Sequence, residues 1–115
     1  IDTINSTNQW VYLDYPQSAE EHAASYPDWM ATLPVEKVYE FDPIPEGLDP
    51  QFHKHILGSE ANLWTEFVPD EAQLYHQIMP RLYAFSEVVW SPAEGRSFAE
   101  FEKRLAVQRS QIKPQ

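Results

Sequence analysis

The chain has 115 residues, enough for one modest core, and 43% of them are hydrophobic, as in a globular rather than a disordered protein. The net charge of −10 and the lack of a Lys/Arg cluster argue against nucleic acid and anionic polymers as partners. The chain has no cysteine for disulfide or thiolate chemistry, and no apolar run of membrane-spanning length. A neutral polymer stays compatible with this composition, and 14% aromatic residues supply flat faces for stacking.

Strand-like segments are scarce and lie far apart in the chain. The apolar, β-prone run at residues 9–13 predicts one strand, and residues 55–63 predict a second. Between them, Ser18 and Glu21 fit a capping box, which predicts a short helix ending near Pro27. The proline-rich stretch at residues 31–47 predicts one helical turn followed by an extended loop.

The remainder of the chain, after the second strand, has a helical pattern. Asp70 with Gln73, and Ser97 with Glu100, form two further capping boxes. Pro80 interrupts the first of these helical segments and predicts a kinked or split helix. An apolar stripe in each segment is expected to face the core: Leu74, Ile78, Leu82, Phe85 and Val89 in the first, and Phe98, Phe101, Leu105 and Ile112 in the second.

The order of these elements indicates the fold class. Strands joined by long helical connections pair in parallel, so the sequence predicts an α/β fold. Two parallel strands are too few for a stable sheet, which needs further strands at its edges and helices over both faces. We therefore expect residues 1–115 to be the C-terminal part of a larger domain, with no complete domain present.

Each predicted strand ends in an aromatic residue and a carboxylate two positions apart. Tyr12 and Asp14 end the first, and Trp64 and Glu66 end the second. Functional side chains of parallel α/β folds gather at the carboxyl ends of strands, so these four are expected to share a pocket. The mixture suits carbohydrates, whose C–H faces stack on indole while their hydroxyls donate to carboxylates. From spacing alone, the alternative that Trp64 is a core residue and both acids cap helices stays open.

Four blocks of this sequence, in their order and spacing, resemble the end of the catalytic barrel of the β-N-acetylhexosaminidases, glycoside hydrolase family twenty. They read YLDYPQ, EKVYEFDPIP, ILGSEANLWTEF and MPRLYAFSEVVWS, within residues 10–112, although Ser59 stands where the family usually has glycine. The resemblance implies a (β/α)8 TIM barrel, with this chain supplying strands seven and eight and their helices, helix-rich as an isolated fragment. The parent would be an exo-acting enzyme releasing terminal N-acetylglucosamine or N-acetylgalactosamine from glycans or chitooligosaccharides, by a retaining, substrate-assisted mechanism.

The resemblance also implies a role for each of the four residues. Tyr12 matches the tyrosine that hydrogen-bonds the acetamido oxygen and stabilises the oxazolinium ion. Asp14 and Glu66 match carboxylates that bind sugar hydroxyls, around O4 and O6 and around O3 and O4 respectively, and Trp64 matches a wall of the acetamido pocket. The catalytic Asp-Glu pair and a sugar-binding arginine would lie upstream, so the isolated chain is expected to be inactive. No metal or cofactor is implied, and the parent would be secreted, periplasmic or lysosomal.

Three alternative functions are left open by the residues. The chain could be a free-standing carbohydrate-binding or structural module that performs no chemistry. Asp14 and Glu66 could form a self-contained acid/base pair, because most glycosidases use two carboxyl groups as their catalytic groups. His53 and His55, two apart in the second predicted strand, could ligate a metal.

Other conspicuous features are expected to have structural explanations. The Asp70-Glu71 dipeptide follows a proline and precedes a helical pattern, so it predicts a helix start and not the catalytic pair. Arg81 is expected to pair with nearby carboxylates. Asn5 begins a glycosylation sequon. An isolated pair of strands would expose apolar edges, which predicts self-association.

Overall fold

The computed structural model describes residues 1–111, which contain two short strands and six α-helices. In chain order these are β1 (Thr3–Asn5), α1 (Asn8–Val11), α2 (Ala19–Ser25), α3 (Val35–Tyr39), β2 (Ile56–Ser59), α4 (Glu71–Ile78), α5 (Arg81–Trp90) and α6 (Phe98–Gln111). Two 3₁₀ turns, Pro50–His55 and Thr65–Phe67, lie on either side of β2. None of the helices within this range has both the length and the apolarity needed to cross a bilayer.

The two strands form a parallel pair, which confirms the α/β organisation predicted from the order of elements. The register pairs Thr3 with Ile56 and Asn5 with Ser59, with an irregularity directly after Thr3. Further along the chain, Tyr12 continues the pairing in a single parallel bridge to Asn62. The sheet and this bridge therefore bring the start of the chain alongside residues 56–62.

The strand predicted at residues 9–13 is wrong. The strand lies earlier, in β1, and residues 8–11 form one helical turn in which the Thr7 carbonyl accepts from the N–H groups of Trp10 and Val11, both at 3.1 Å. The Val11 side chain is fully buried in the helical core. Burial of this residue outweighs its preference for a strand, because β propensity is weak relative to tertiary packing.

Local start signals predicted the helices correctly. The Ser18 hydroxyl accepts from the Glu21 N–H at 3.2 Å and begins α2, which ends two residues before the proline that was expected to stop it. The Asp70 carboxylate accepts from the Gln73 N–H at 2.8 Å and begins α4. Pro80 separates α4 from α5, so its predicted effect is confirmed as a split.

The hydrophobic core lies where α3 packs across α5 and where α1 and α6 cover them. Its buried members are Val11, Tyr15, Met30, Leu33, Val38, Tyr39, Phe41, Ala84, Val88, Phe101 and Leu105. Phe101 and Leu105 were both predicted on the buried side of the last helix, and Tyr39 stacks on Phe101 with 4.8 Å between ring centroids. The last member predicted for that stripe, Ile112, lies outside the described residues.

The apolar stripe predicted for α4 and α5 is confirmed only in part, since Phe85 packs against the core. Leu82 and Val89 are exposed to solvent in the described structure. The buried positions, spaced four, seven and eleven residues from the first, are Gln77, Arg81, Ala84 and Val88. Gln77 and Arg81 lie against the backbone of residues 13–15, whose carbonyl groups need donors that apolar side chains cannot supply, and Ala84 and Val88 belong to the hydrophobic core.

Candidate functional site

The candidate site lies where residues 11–14 run beside Asn62. The Leu13 N–H donates to the Asn62 carbonyl at 2.7 Å, and the Asn62 N–H donates to the Val11 carbonyl at 3.0 Å. These two bonds hold the segment with Tyr12 and Asp14 next to the segment that continues to Trp64 and Glu66. The structure thus brings together the four residues predicted at two separate places in the sequence.

Two aromatic rings form one wall of the site. The Tyr12 and Trp64 ring centroids are 6.0 Å apart, with 62° between the ring planes. This edge-to-face geometry is a favourable aromatic contact. The Trp64 side chain is nevertheless 55% exposed, so in residues 1–111 it is not a core residue, contrary to the structural alternative. Its exposed indole face is available to stack on a ligand.

Asp14 supplies a buried carboxylate beside these rings. Its side chain is only 5% exposed, and within residues 1–111 its Oδ1 atom has no hydrogen-bond partner. It caps no described helix, since the Ser18 hydroxyl begins α2. A buried carboxylate oxygen without a donor is costly, and a ligand hydroxyl would satisfy it.

The environment of Asp14 disfavours its charged form. Burial raises the pKa of the Asp14 carboxyl above its ordinary value, and the negative charge of Glu66 acts in the same direction. The backbone N–H groups of Asp14 and Trp64 and the Arg81 guanidinium oppose this rise. A hydrogen bond donated by a sugar hydroxyl would also lower the pKa of Asp14, as these three groups do.

Glu66 lies at the exposed rim of the site, in the 3₁₀ turn Thr65–Phe67. It also borders a half-open cavity of about 510 Å³, whose other walls include Tyr26, Phe67 and His76. None of Tyr12, Asp14 and Trp64 lines that cavity. Glu66 is therefore the point of contact between the predicted site and this neighbouring hollow.

Behind Asp14 lie two buried side chains that were not predicted as part of the site, Gln77 and Arg81. Arg81 does not pair with carboxylates, as the sequence had suggested: it donates to the carbonyls of Leu13 at 2.5 Å and Tyr15 at 2.7 Å. Gln77 Nε2 donates to the Asp14 carbonyl between them, at 2.9 Å. Burial lowers the pKa of Arg81 to about 10, so the guanidinium is still charged at neutral pH.

A signal for these two residues exists in the sequence. Gln77 and Arg81 are four residues apart and continue at helical spacing into Ala84 and Val88, which is a stripe of its own. The predicted stripe beside it is more apolar, so the sequence pattern favoured that stripe as the buried face. A polar pair at helical spacing, in a helix that follows a segment with a carboxylate, is the pattern that indicates such residues.

The two histidines considered as metal ligands bond to different groups. They lie in the 3₁₀ turn Pro50–His55 and not in a strand. The His53 ring bonds to the Leu48 carbonyl at 2.9 Å, and the His55 ring bonds to the Asp2 carboxylate at 2.9 Å. In the part of the chain that the structure describes, no three His, Asp or Glu residues group closely enough to hold a metal ion.

The amide of the glycosylation sequon is also engaged. Asn5 is 9% exposed, and its Nδ2 atom donates to the Pro43 carbonyl at 2.7 Å. A glycan on that buried nitrogen would have to displace the loop that carries Pro43. The side chain of Asn5 therefore has a structural role in this fold.

Known proteins resemble the chain in sequence. The family model described as "Glycosyl hydrolase family 20, catalytic domain" matches residues 1–93. A beta-hexosaminidase of Akkermansia muciniphila is 33% identical over 112 residues, which cover 97% of this chain and 22% of that protein. The chain spans only 9% and 22% of the length of the first two curated relatives that it matches.

Solved structures resemble the fold. The crystal structure of a beta-N-acetylhexosaminidase superposes with a TM-score of 0.82 at 33% identity, over 94% of this chain and 22% of that one. An exo beta-N-acetylglucosaminidase from Vibrio harveyi, solved in complex with N-acetylglucosamine, has a TM-score of 0.75 at 31% identity. That match covers 91% of this chain and 16% of the other.

Proposed function

The chain belongs to glycosyl hydrolase family 20, and on this basis we propose that it is part of a retaining exo-β-N-acetylhexosaminidase. The substrates are glycans or chitooligosaccharides that end in N-acetylglucosamine or N-acetylgalactosamine. Residues 1–115 form the C-terminal part of a (β/α)8 barrel, in which β1 and β2 are strands seven and eight. Parallel pairing of β1 with β2 and the small share of each relative that the chain covers support this placement.

One observation carries the proposal for the site. An exposed indole, a phenol ring 6.0 Å from it and a buried carboxylate oxygen that has no partner among residues 1–111 meet at one place. A pyranose needs both kinds of group, because its C–H face is apolar and its edge carries hydroxyls. The Vibrio harveyi enzyme, whose structure holds N-acetylglucosamine, shares this part of the fold, which supports the choice of sugar.

In the proposed reaction the nucleophile belongs to the substrate. The acetamido oxygen attacks C1 while the glycosidic C–O bond breaks, and the leaving oxygen takes a proton from a glutamic acid upstream of residue 1. Water then attacks C1 and gives its proton to the same glutamate, while the bond between C1 and the oxazolinium oxygen breaks, which restores the acetamido group and retains the anomeric configuration.

The residues of this chain bind and orient the sugar in that reaction. The Tyr12 hydroxyl donates to the acetamido oxygen as it attacks, and Trp64 packs on the sugar and its acetamido methyl group. Asp14 accepts from hydroxyls around O4 and O6, and Glu66 from those around O3 and O4. Asp14 and Glu66 therefore do not act as the acid/base pair.

A tryptophan comparison in the full-length polypeptide tests the proposal. Trp64→Ala should lower kcat/KM for an aryl N-acetylglucosaminide about 100-fold or more, through lost binding of the transition state. The melting temperature should change little, because Trp64 is half exposed. Trp90→Ala, at the exposed end of α5, is the matched control and should leave kcat/KM unchanged.

The outcomes separate the enzyme from its alternatives. A Trp64→Ala enzyme with kcat/KM within about threefold of wild type contradicts the proposed site. A full-length protein that binds N-acetylglucosamine without hydrolysing any aryl N-acetylhexosaminide favours a non-catalytic carbohydrate-binding module.

A further inference from the structure

We propose that Gln77 and Arg81 are positioning residues that fix the orientation of Asp14 in the sugar site. The inference rests on the proposed function, because it concerns how that site is held. It starts from three consecutive backbone carbonyls, those of Leu13, Asp14 and Tyr15. Each accepts a hydrogen bond from one of these two helix side chains.

The two side chains act from one continuous face. Gln77 lies in the last turn of α4 and Arg81 at the first position of α5, and both are fully buried. The helices are joined further, since Arg81 Nε and Nη2 both donate to the Gln77 carbonyl, at 3.1 and 2.5 Å. Arg81 Nη1 also reaches the Leu33 carbonyl at 3.1 Å. All three guanidinium nitrogens are therefore satisfied by backbone oxygens.

The arrangement stabilises the fold and also fixes its geometry. Burying a cation costs desolvation energy, and the hydrogen bonds of Arg81 offset that cost because they satisfy backbone carbonyls that an apolar side chain would leave unpaired. What an apolar residue cannot do is hold carbonyls in a defined direction. The fork geometry of a guanidinium binds two carbonyls at once, on either side of Asp14.

The consequence for the site is a fixed Asp14 backbone. The carbonyls before, at and after Asp14 are held from α4 and α5, and the Leu13 N–H is held by the Asn62 carbonyl at 2.7 Å. The carboxylate is thereby kept in its buried position, where Oδ1 accepts from no donor in the described part of the chain and can accept from a sugar hydroxyl. Such preorganisation increases affinity because little ordering is left for the binding step. The positive charge of Arg81 behind the segment also favours the ionised carboxylate.

A double-mutant cycle in the full-length enzyme tests the inference. Gln77→Met keeps the volume of the side chain and removes the donor to the Asp14 carbonyl. It should lower kcat/KM for an aryl N-acetylglucosaminide about tenfold when Asp14 is present, and less than about twofold in an Asp14→Ala background. Arg81→Lys, which loses the fork, should follow the same pattern if it folds, and Gln77→Met carries the test if it does not.

Arg96→Lys is the matched control. Arg96 also donates to backbone carbonyls, those of Phe41 and Val88 at 3.3 Å, on a part of the structure that does not touch Asp14. Arg96→Lys should lower the melting temperature and leave kcat/KM unchanged. The comparison separates loss of stability from loss of positioning.

Each result has one meaning. If Gln77→Met lowers kcat/KM equally with and without the Asp14 carboxylate, the inference is overturned and the proposed function is unaffected. Equal losses of kcat/KM in Arg96→Lys and Gln77→Met also overturn it, because general destabilisation then explains both. A wild-type protein that hydrolyses no aryl N-acetylhexosaminide overturns the proposed function instead.

Discussion

At the scale of single residues, Asp14 shows how a binding group can oppose folding. Its carboxylate is 5% exposed and its pKa is raised by burial, so the native state holds the proton to a higher pH than the unfolded chain does. The free energy of unfolding therefore falls as pH rises from about 3.8 through the native pKa. In the proposed site, the carboxylate that carries this cost in stability is the acceptor for a sugar hydroxyl.

The first prediction concerns the variant Asp14→Asn in the full-length protein. It removes the buried charge, so the variant should gain stability relative to wild type as pH rises above about 3.8, and should be at least as stable at neutral pH. Its kcat/KM should fall about 10- to 100-fold, because a charged acceptor is lost. Chemical denaturation across pH measures the first effect, with exposed Asp28→Asn as the control for charge. A neutral-pH stability well below that of wild type would contradict the prediction.

The second prediction concerns the Tyr12 hydroxyl. Tyr12→Phe keeps the ring that contacts Trp64 and Tyr15 and removes only the donor. If that hydroxyl stabilises charge on the acetamido oxygen, kcat should fall about 100-fold with a smaller change in KM, as for other oxyanion donors. Steady-state kinetics of the full-length enzyme check this. A change confined to KM would instead assign Tyr12 to ground-state binding.

The sequence located residues of the candidate site better than it located the structure around them. Tyr12, Asp14, Trp64 and Glu66 stood out because an aromatic residue and an acid recur two apart, and the fold brings the two pairs together. Arg81 could not be assigned its partners. Three of its hydrogen bonds go to carbonyls 48 to 68 residues away, and no side-chain type in the sequence indicates which backbone carbonyl will be an acceptor.

At the scale of elements, the correct predictions were local and the wrong ones were tertiary. A capping box is complete within four residues, so the starts of α2 and α4 could be read from the sequence. The buried face of α4 and α5 depends on what packs against it. The partner is the backbone of residues 13–15, which favours Gln77 and Arg81 over the apolar stripe.

The third prediction concerns the start of α4 and the Asp70-Glu71 dipeptide. Asp70→Ala should lower the free energy of unfolding by about 1 kcal/mol, because the Gln73 N–H loses its acceptor. Asp70→Asn should recover most of that loss, since asparagine caps helices as well as aspartate does. Both variants should keep wild-type kcat in the full-length enzyme. A loss of about 1000-fold or more in kcat would identify Asp70 as part of the catalytic pair.

At the scale of the whole molecule, both the parallel pairing of the strands and the exposure of apolar side chains on an isolated pair were predictable. In residues 1–111 only two strands pair, and the apolar side chains of Ile4 and Leu57 are 51% and 63% exposed. In the proposed barrel, neighbouring strands and helices cover such positions. In residues 1–111 these apolar side chains face solvent.

The fourth prediction is that the isolated 115-residue chain self-associates. Light scattering should detect a dimer or larger species whose population grows with added salt, because salt screens repulsion between chains of net charge −10. Ile4→Lys combined with Leu57→Lys should shift the population toward monomer. Val107→Lys, at an exposed position on α6, is the control and should not. A monodisperse monomer at high salt would contradict the prediction that the exposed apolar side chains cause self-association.

The fifth prediction is that this isolated chain does not hydrolyse aryl N-acetylglucosaminides that the full-length protein cleaves. In the proposed mechanism Asp14 and Glu66 hold the sugar, and the proton for the leaving oxygen comes from elsewhere in the barrel. Without that acid the glycosidic bond is not broken, however well the sugar is bound. Turnover by the purified chain that disappears in Asp14→Asn would instead make Asp14 and Glu66 a self-contained pair. Turnover that persists in Asp14→Asn would point to a contaminating enzyme. The control is an affinity-tagged double variant, Asp14→Asn with Glu66→Gln, because a contaminant would give it the same residual rate as the single variant.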